Sequence, residues 1–213
     1  MKTKTKALAL FLSAVLLVVT TVFTTMAFLT SETETVKNTF TVGKVAITLD
    51  EAKVDEYGLE DEAADRVLGN EYKLIPGHTY VKDPTVTVAA DSEASYIRMI
   101  VTISDIADVK EVFGSDFLPQ YFVKGWDNTK WITTGKVIET NDTATYEFRY
   151  YTTVSTVDGE AEKLEPLFTH IFIPGTIENE ALAKLEDMEV NVIAYAIQAD
   201  GFEDAEDAWK KWD

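Results

Sequence analysis

Apolar and polar residues alternate along most of this chain, and the alternation is that of strands. Phe28 to Val42 sets Phe28, Val36, Phe40 and Val42 on one parity, with mostly Thr, Ser and Lys on the other. After Gly43 the apolar parity flips to Val45, Ile47 and Leu49. A glycine at a change of phase marks a bulge or a break between two strands, so the first piece is separable from the second. Further strand patterns run from Asn70 into a Pro76-Gly77 turn and from Tyr80 to Ala90. Pro84 sets an edge or bend at the start of the latter, because proline cannot donate to a ladder. Ile97, Met99, Val101 and Ile103 alternate with Tyr96, Arg98, Ile100 and Thr102, the mark of a core strand.

Tyr121 to Val137 reads as a hairpin turning at Trp126-Asp127-Asn128-Thr129-Lys130-Trp131. Tyr146, Phe148 and Tyr150 share one side of the next strand, opposite Glu147, Arg149 and Tyr151. Leu167 to Ile173 and Val190 to Ala199 are apolar on both parities, and the first reads as central. Helical spacing is confined to three short stretches: Asp105 to Phe117, Glu178 to Met188, and a tail carrying Phe202, Ala205, Ala208, Trp209 and Trp212. Many short strands, frequent turns and a few peripheral helices predict an all-β fold, an antiparallel β-sandwich of jelly-roll type.

The first residues break this pattern. Lys2, Lys4 and Lys6 precede an uncharged run from Ala7 to Phe23, whose apolar core to Val19 is short for a bilayer span. Small and polar residues follow, ending Thr24-Thr25-Met26-Ala27. Residues 1–26 therefore read as an export signal, cut after Ala27 or after Met26, and the competing reading is an uncleaved anchor. The body, residues 27–213, is of a size that suits one domain.

Charge and composition narrow the chemistry. The chain carries 37 acids against 19 bases, a formal charge of −18, which argues against nucleic acid as a partner. Eight of those acids (Asp50, Glu51, Asp55, Glu56, Glu60, Asp61, Glu62 and Asp65) fall in one aperiodic stretch that reads as a solvated excursion; its spacing is not that of an EF-hand. Cysteine is absent, which excludes disulfides and thiolate chemistry. His78 and His170 are the only histidines, and no His-Glu-x-x-His or Gly-x-Ser-x-Gly occurs. No catalytic, cofactor or metal residues are assigned. Trp126, Trp131, Tyr146, Tyr150 and Tyr151 suit either a sugar-stacking platform or cross-strand aromatic packing, and the sequence does not separate the two.

Three stretches carry a resemblance. The leader end Thr24-Thr25-Met26-Ala27-Phe28-Leu29-Thr30 is followed by Asn38-Thr39-Phe40-Thr41-Val42-Gly43-Lys44-Val45. Leu74 to Pro84 contains Pro76-Gly77 and Lys82-Asp83, and the tail runs Ala194-Tyr195-Ala196-Ile197-Gln198-Ala199-Asp200-Gly201-Phe202 with Ala208-Trp209. Together they resemble the TasA/camelysin family of exported Gram-positive proteins, whose leaders are processed by a SipW-type signal peptidase. Val45 stands where the family usually has leucine.

The resemblance implies a jelly-roll protein of the extracellular matrix or cell surface that polymerises with its own kind, and the missing catalytic motifs make a protein without enzymatic activity the expectation. A strand freed by leader removal inserts into the next subunit, and a matrix polysaccharide is a further expected partner. Residues 27–42 are then the donor, with Phe28, Val36, Phe40, Val42 and Gly43 at the interface. Camelysin-like members have been described as metal-dependent proteases. The missing zinc motif makes that the alternative reading here, beside a carbohydrate-binding surface module.

Overall fold

The computed structural model describes residues 43–114, 122–157 and 159–212. The chain divides into two compact units, Met1–Val42 and Gly43–Asp213. The expected leader, its cut at Met26 or Ala27, and the donor positions Phe28, Val36, Phe40 and Val42 lie outside the described residues.

The second unit is built of antiparallel sheets with short helices at their margins. One sheet joins β1 (Ile47–Asp50), β3 (Thr85–Val88) and β8 (Glu162–Lys163) in the order β1-β3-β8. Another joins β2 (Thr79–Val81), β9 (His170–Phe172) and β5 (Val123–Lys124) in the order β2-β9-β5. The largest has the order β10-β4-β7-β6, from β4 (Ser95–Ser104), β6 (Trp131–Glu139), β7 (Thr143–Tyr150) and β10 (Val190–Gln198). Every pairing is antiparallel.

Burial follows the alternation where strands are long. Ile97, Met99, Val101 and Ile103 of β4 point into one core with Val86 and Val88 of β3, Ile171 of β9, and Tyr146 and Phe148 of β7. The helices close the margins. Ile106 and Val109 of α1 (Ile106–Phe113) are buried, as are Leu182 of α2 (Asn179–Leu182) and Leu185 of the 3-10 turn after it. The tail helix α3 (Ala205–Trp212) buries Ala208 and Trp209.

Several expectations need correcting. Asn70 to Ile75 forms no strand, because its polar groups make scattered bonds, the Lys73 amide to the Glu56 carbonyl (2.7 Å) among them, instead of a ladder. Asn70 holds Glu51 and Ala52, and the Ile75 amide donates to the Tyr80 hydroxyl (2.6 Å). Tyr80 to Ala90 is two strands, β2 and β3, in different sheets, parted at Lys82–Pro84 where proline interrupts the ladder. The two tryptophans do not flank a hairpin turn. β5 pairs with β9, and the hairpin is β6–β7, turning at Asn141-Asp142. Between them Gly125 sits at φ 78°, where a Cβ would lie 2.1 Å from Thr169 Oγ1, so the chain leaves β5 through a backbone contact only glycine permits.

Candidate functional site

The feature with most capacity for interaction is the free edge of β10. Its nine residues pair with β4 from Val190↔Ile103 to Gln198↔Ser95, and among the described residues no strand lies on its other side. An edge of this kind offers a row of backbone donors and acceptors to any extended chain that reaches it. Its alternation is plain. Val190, Val192, Ala194 and Ala196 pack against the core, while Asn191 and Ile193 face outward, Ile193 with 53% of its surface exposed. The start of β10 is held by β4: the Ser104 amide donates to the Glu189 carbonyl (3.0 Å), and the Glu189 amide to Ser104 Oγ (2.9 Å).

Beside Val190–Ala194 opens a cleft of about 1280 Å³. Leu49, Leu74, Tyr80, Phe122, Ile171, Leu182 and Leu185 give it an apolar lining, and Glu186, Asp187 and Glu189 sit at its acidic margin. One wall is polar and is built from the acidic excursion. Lys82 Nζ meets Glu51 Oε2 at 2.6 Å, with Glu51 only 4% exposed and Lys82 7%. Asn70 Nδ2 donates to Glu51 Oε1 (2.9 Å) and the Ala52 carbonyl (2.8 Å), while its Oδ1 accepts from the Val54 amide (3.0 Å). The Tyr72 hydroxyl donates to the Val81 carbonyl (3.0 Å). Burial pushes that phenol above its ordinary pKa, and the nearby Glu51 charge adds to the shift. Arg66 spans Asp50 and Asp83, at 2.5 and 2.8 Å, and the Ala52 amide donates to Asp83 Oδ1 (2.6 Å).

The excursion is thus not wholly solvated. Its tip is exposed, but Glu51, Ala52 and Val54 are buried and its base is bridged at Glu51↔Val67 and Val54↔Glu60. Lys82 is the residue that sequence reasoning overlooked. It shares a parity with Tyr80, Val86 and Val88, all inward, and an inward lysine demands a buried acid.

Behind β10, on the other face of its sheet, α3 is clamped by a cation between rings. The Arg98 guanidinium carbon lies 4.3 Å from the Trp209 ring centre and 5.2 Å from that of Tyr195. Glu147 lies on the outward parity of β7 and is nonetheless buried, near Arg98 (3.9 Å) and bonded to Arg149 Nε (2.6 Å).

The other singled-out residues do not converge. Gly43 is the first described residue; a Cβ there would meet only the Glu93 side chain, 2.8 Å to Cγ, and Lys44 follows with its carbonyl accepting from the Glu93 amide (2.8 Å). Trp131 is fully buried and its indole N–H donates to the Glu165 carbonyl (2.9 Å), so it has no face on which a sugar can stack. Trp126 donates to the Trp131 carbonyl (2.7 Å) and meets Phe148 edge-on. His78 donates from Nε2 to the Tyr57 carbonyl (2.7 Å), whereas His170 Nδ1 bonds Thr169 Oγ1 (2.8 Å). Among the described residues no three His, Asp or Glu side chains are grouped to hold a metal ion, and no helix is long and apolar enough to cross a membrane. No protein-family model matches the chain, and neither a curated protein nor a solved structure does.

Proposed function

We propose that this chain is a secreted structural subunit of an extracellular matrix or cell surface. In this reading it is a jelly-roll sandwich of the TasA/camelysin kind. Removal of the leader by a SipW-type signal peptidase frees residues 27–42 to act as a donor strand, and subunits join head to tail into fibres.

The edge of β10, unpaired among the described residues, is the observation that carries this reading. A nine-residue edge with Ile193 exposed and apolar side chains behind it is a hazard in a monomer, and proteins ordinarily blunt such edges with charge, proline or a covering loop. Here none of the nine residues is charged or proline. Strand addition turns the hazard into an interface, with main-chain bonds giving affinity and alternate side chains giving specificity. A donor at one place and an acceptor at another make a contact that does not close on itself, so it propagates as a filament.

Electron microscopy of the mature chain beginning at Ala27, beside a variant beginning at Gly43, tests the assembly. Fibres are expected from the first and monomers from the second, with matching circular dichroism showing that both fold. Fibres from the shortened variant would remove the donor role.

A further inference from the structure

Glu51 joins a lysine and an asparagine from different parts of the chain, Lys82 just after β2 and Asn70 just past the acidic excursion. Its Oε2 meets Lys82 Nζ at 2.6 Å, and its Oε1 accepts from Asn70 Nδ2 at 2.9 Å. A primary amine and a carboxamide that share one buried carboxylate are the nucleophile, the acyl group and the proton carrier of an amide exchange. We infer that Lys82 and Asn70 condense into an intramolecular isopeptide bond with release of ammonia, Glu51 moving the protons. The bond does not depend on fibre assembly, and its three residues all lie past Gly43.

Each group holds the orientation that the reaction needs. The Val54 backbone amide can only donate and the Ala52 carbonyl can only accept. Asn70 is therefore fixed with Oδ1 toward the first (3.0 Å) and Nδ2 toward the second (2.8 Å). Oδ1, where negative charge develops, faces a backbone donor, and Nδ2, the leaving group, faces the carboxylate. Glu51 and Lys82 are almost wholly buried, as are the neighbouring Ala52 and Val54, so bulk water does not compete for the acyl carbon. Other lysine–carboxylate pairs, Lys110–Glu139 and Lys130–Glu165 for instance, are far more open to solvent.

Glu51 takes a proton from the Lys82 ammonium, and the freed Nζ lone pair attacks Asn70 Cγ. The carbonyl π electrons move onto Oδ1 against the Val54 amide, and Glu51 gives its proton to Nδ2. As Oδ1 re-forms the carbonyl, the Cγ–Nδ2 bond breaks. Ammonia leaves with the second Nζ proton as ammonium, and Glu51 ends ionised as it began. No oxidant or reductant enters, and holding amine and amide across one carboxylate replaces a bimolecular encounter. The bond closes the chain from Asn70 to Lys82 and pins the base of the excursion beside β2 with a link that no reductant opens. A chain without cysteine has no disulfide to do the same. Lys82→Met and its double variant with Glu51→Gln both lack the bond, so the difference between them reports the charge pair alone.

Intact-mass spectrometry of the purified full-length chain should find about 17 Da missing from the mass of its sequence, one ammonia. Trypsin should release Val67–Lys73 joined to Leu74–Arg98, because an acylated Lys82 is no longer cut. Lys82→Arg, which keeps the charge and loses the primary amine, should restore the full mass. Glu51→Gln should slow the loss at least tenfold in chain that circular dichroism shows to be folded. Wild-type chain that keeps its full mass after prolonged incubation at neutral pH would overturn the assignment. So would the same loss in Lys82→Arg, the mark of a succinimide at Asn70, or loss at the wild-type rate in Glu51→Gln.

Discussion

Tyr150 and Glu165 show how little of a residue's environment its neighbours in sequence dictate. The Tyr150 hydroxyl donates to Glu165 Oε2 (2.5 Å), and Lys130 approaches the same carboxylate (3.3 Å). Glu165 is held below the usual carboxylate range by the tyrosine hydroxyl first and a backbone amide next. Tyr150 is pushed up by burial and then by Glu165. The lowered carboxylate favours the folded state above its unfolded pKa, near 4.3, and that share is lost as pH falls through the lower folded value. The raised phenol favours the folded state below about 10, and that share is lost as pH rises through the higher folded value. Tyr150→Phe should therefore flatten both limbs of the urea-midpoint profile between pH 3 and 11, modestly because the carboxylate is largely exposed. Parallel profiles for the two proteins would contradict the coupling. The aromatic strand face was legible in the sequence; the acid from a distant loop was not, since only folding brings residue 165 beside residue 150.

The acidic excursion between β1 and β2 owes its order to four polar side chains reaching across it. Glu51, Lys82 and Asn70 form one knot, and Arg66 ties Asp50 to Asp83 beside it. Leaving one member of a buried ion pair alone costs about 3–5 kcal/mol, whereas replacing both is often nearly neutral. Lys82→Met should thus destabilise the fold by about that amount in chemical denaturation. Adding Glu51→Gln, which keeps an acceptor for Asn70, should recover most of the loss. A single-variant cost under ~1 kcal/mol would mean that the knot is not what holds this segment. Composition made the excursion visible, but eight acids in a row of loops look solvated until their burial is known. β10 has a related ambiguity. Residues apolar on both parities suit a strand covered on both sides, and this strand lies at the edge of its sheet.

At the scale of the whole molecule the dominant quantity is charge. The formal charge of −18 includes Lys2, Lys4 and Lys6; the proposed processing would leave −21, and copies assembling as proposed would approach against mutual repulsion. Backbone pairing and apolar burial are insensitive to salt, while that repulsion is screened over about 10 Å at 0.1 M. Raising ionic strength from about 0.02 to 0.2 M should shorten the lag of fibre formation, followed by light scattering, severalfold. Slower growth or dissolution with salt would show instead that ion pairs hold the subunits, contrary to a contact made by strand addition.

By itself the sequence determined the all-β character, the core parity of β4 and β7 and the three short helices. These are local consequences of alternation, turn chemistry and helical spacing, which act within a few residues. Which strands are neighbours, which edge is left without a partner among the described residues, and that Lys82 finds Glu51 were decided only by the tertiary structure. Strand pairing joins segments separated by scores of residues, and any strand carries the same backbone donors and acceptors, so nothing local says which edge stays open.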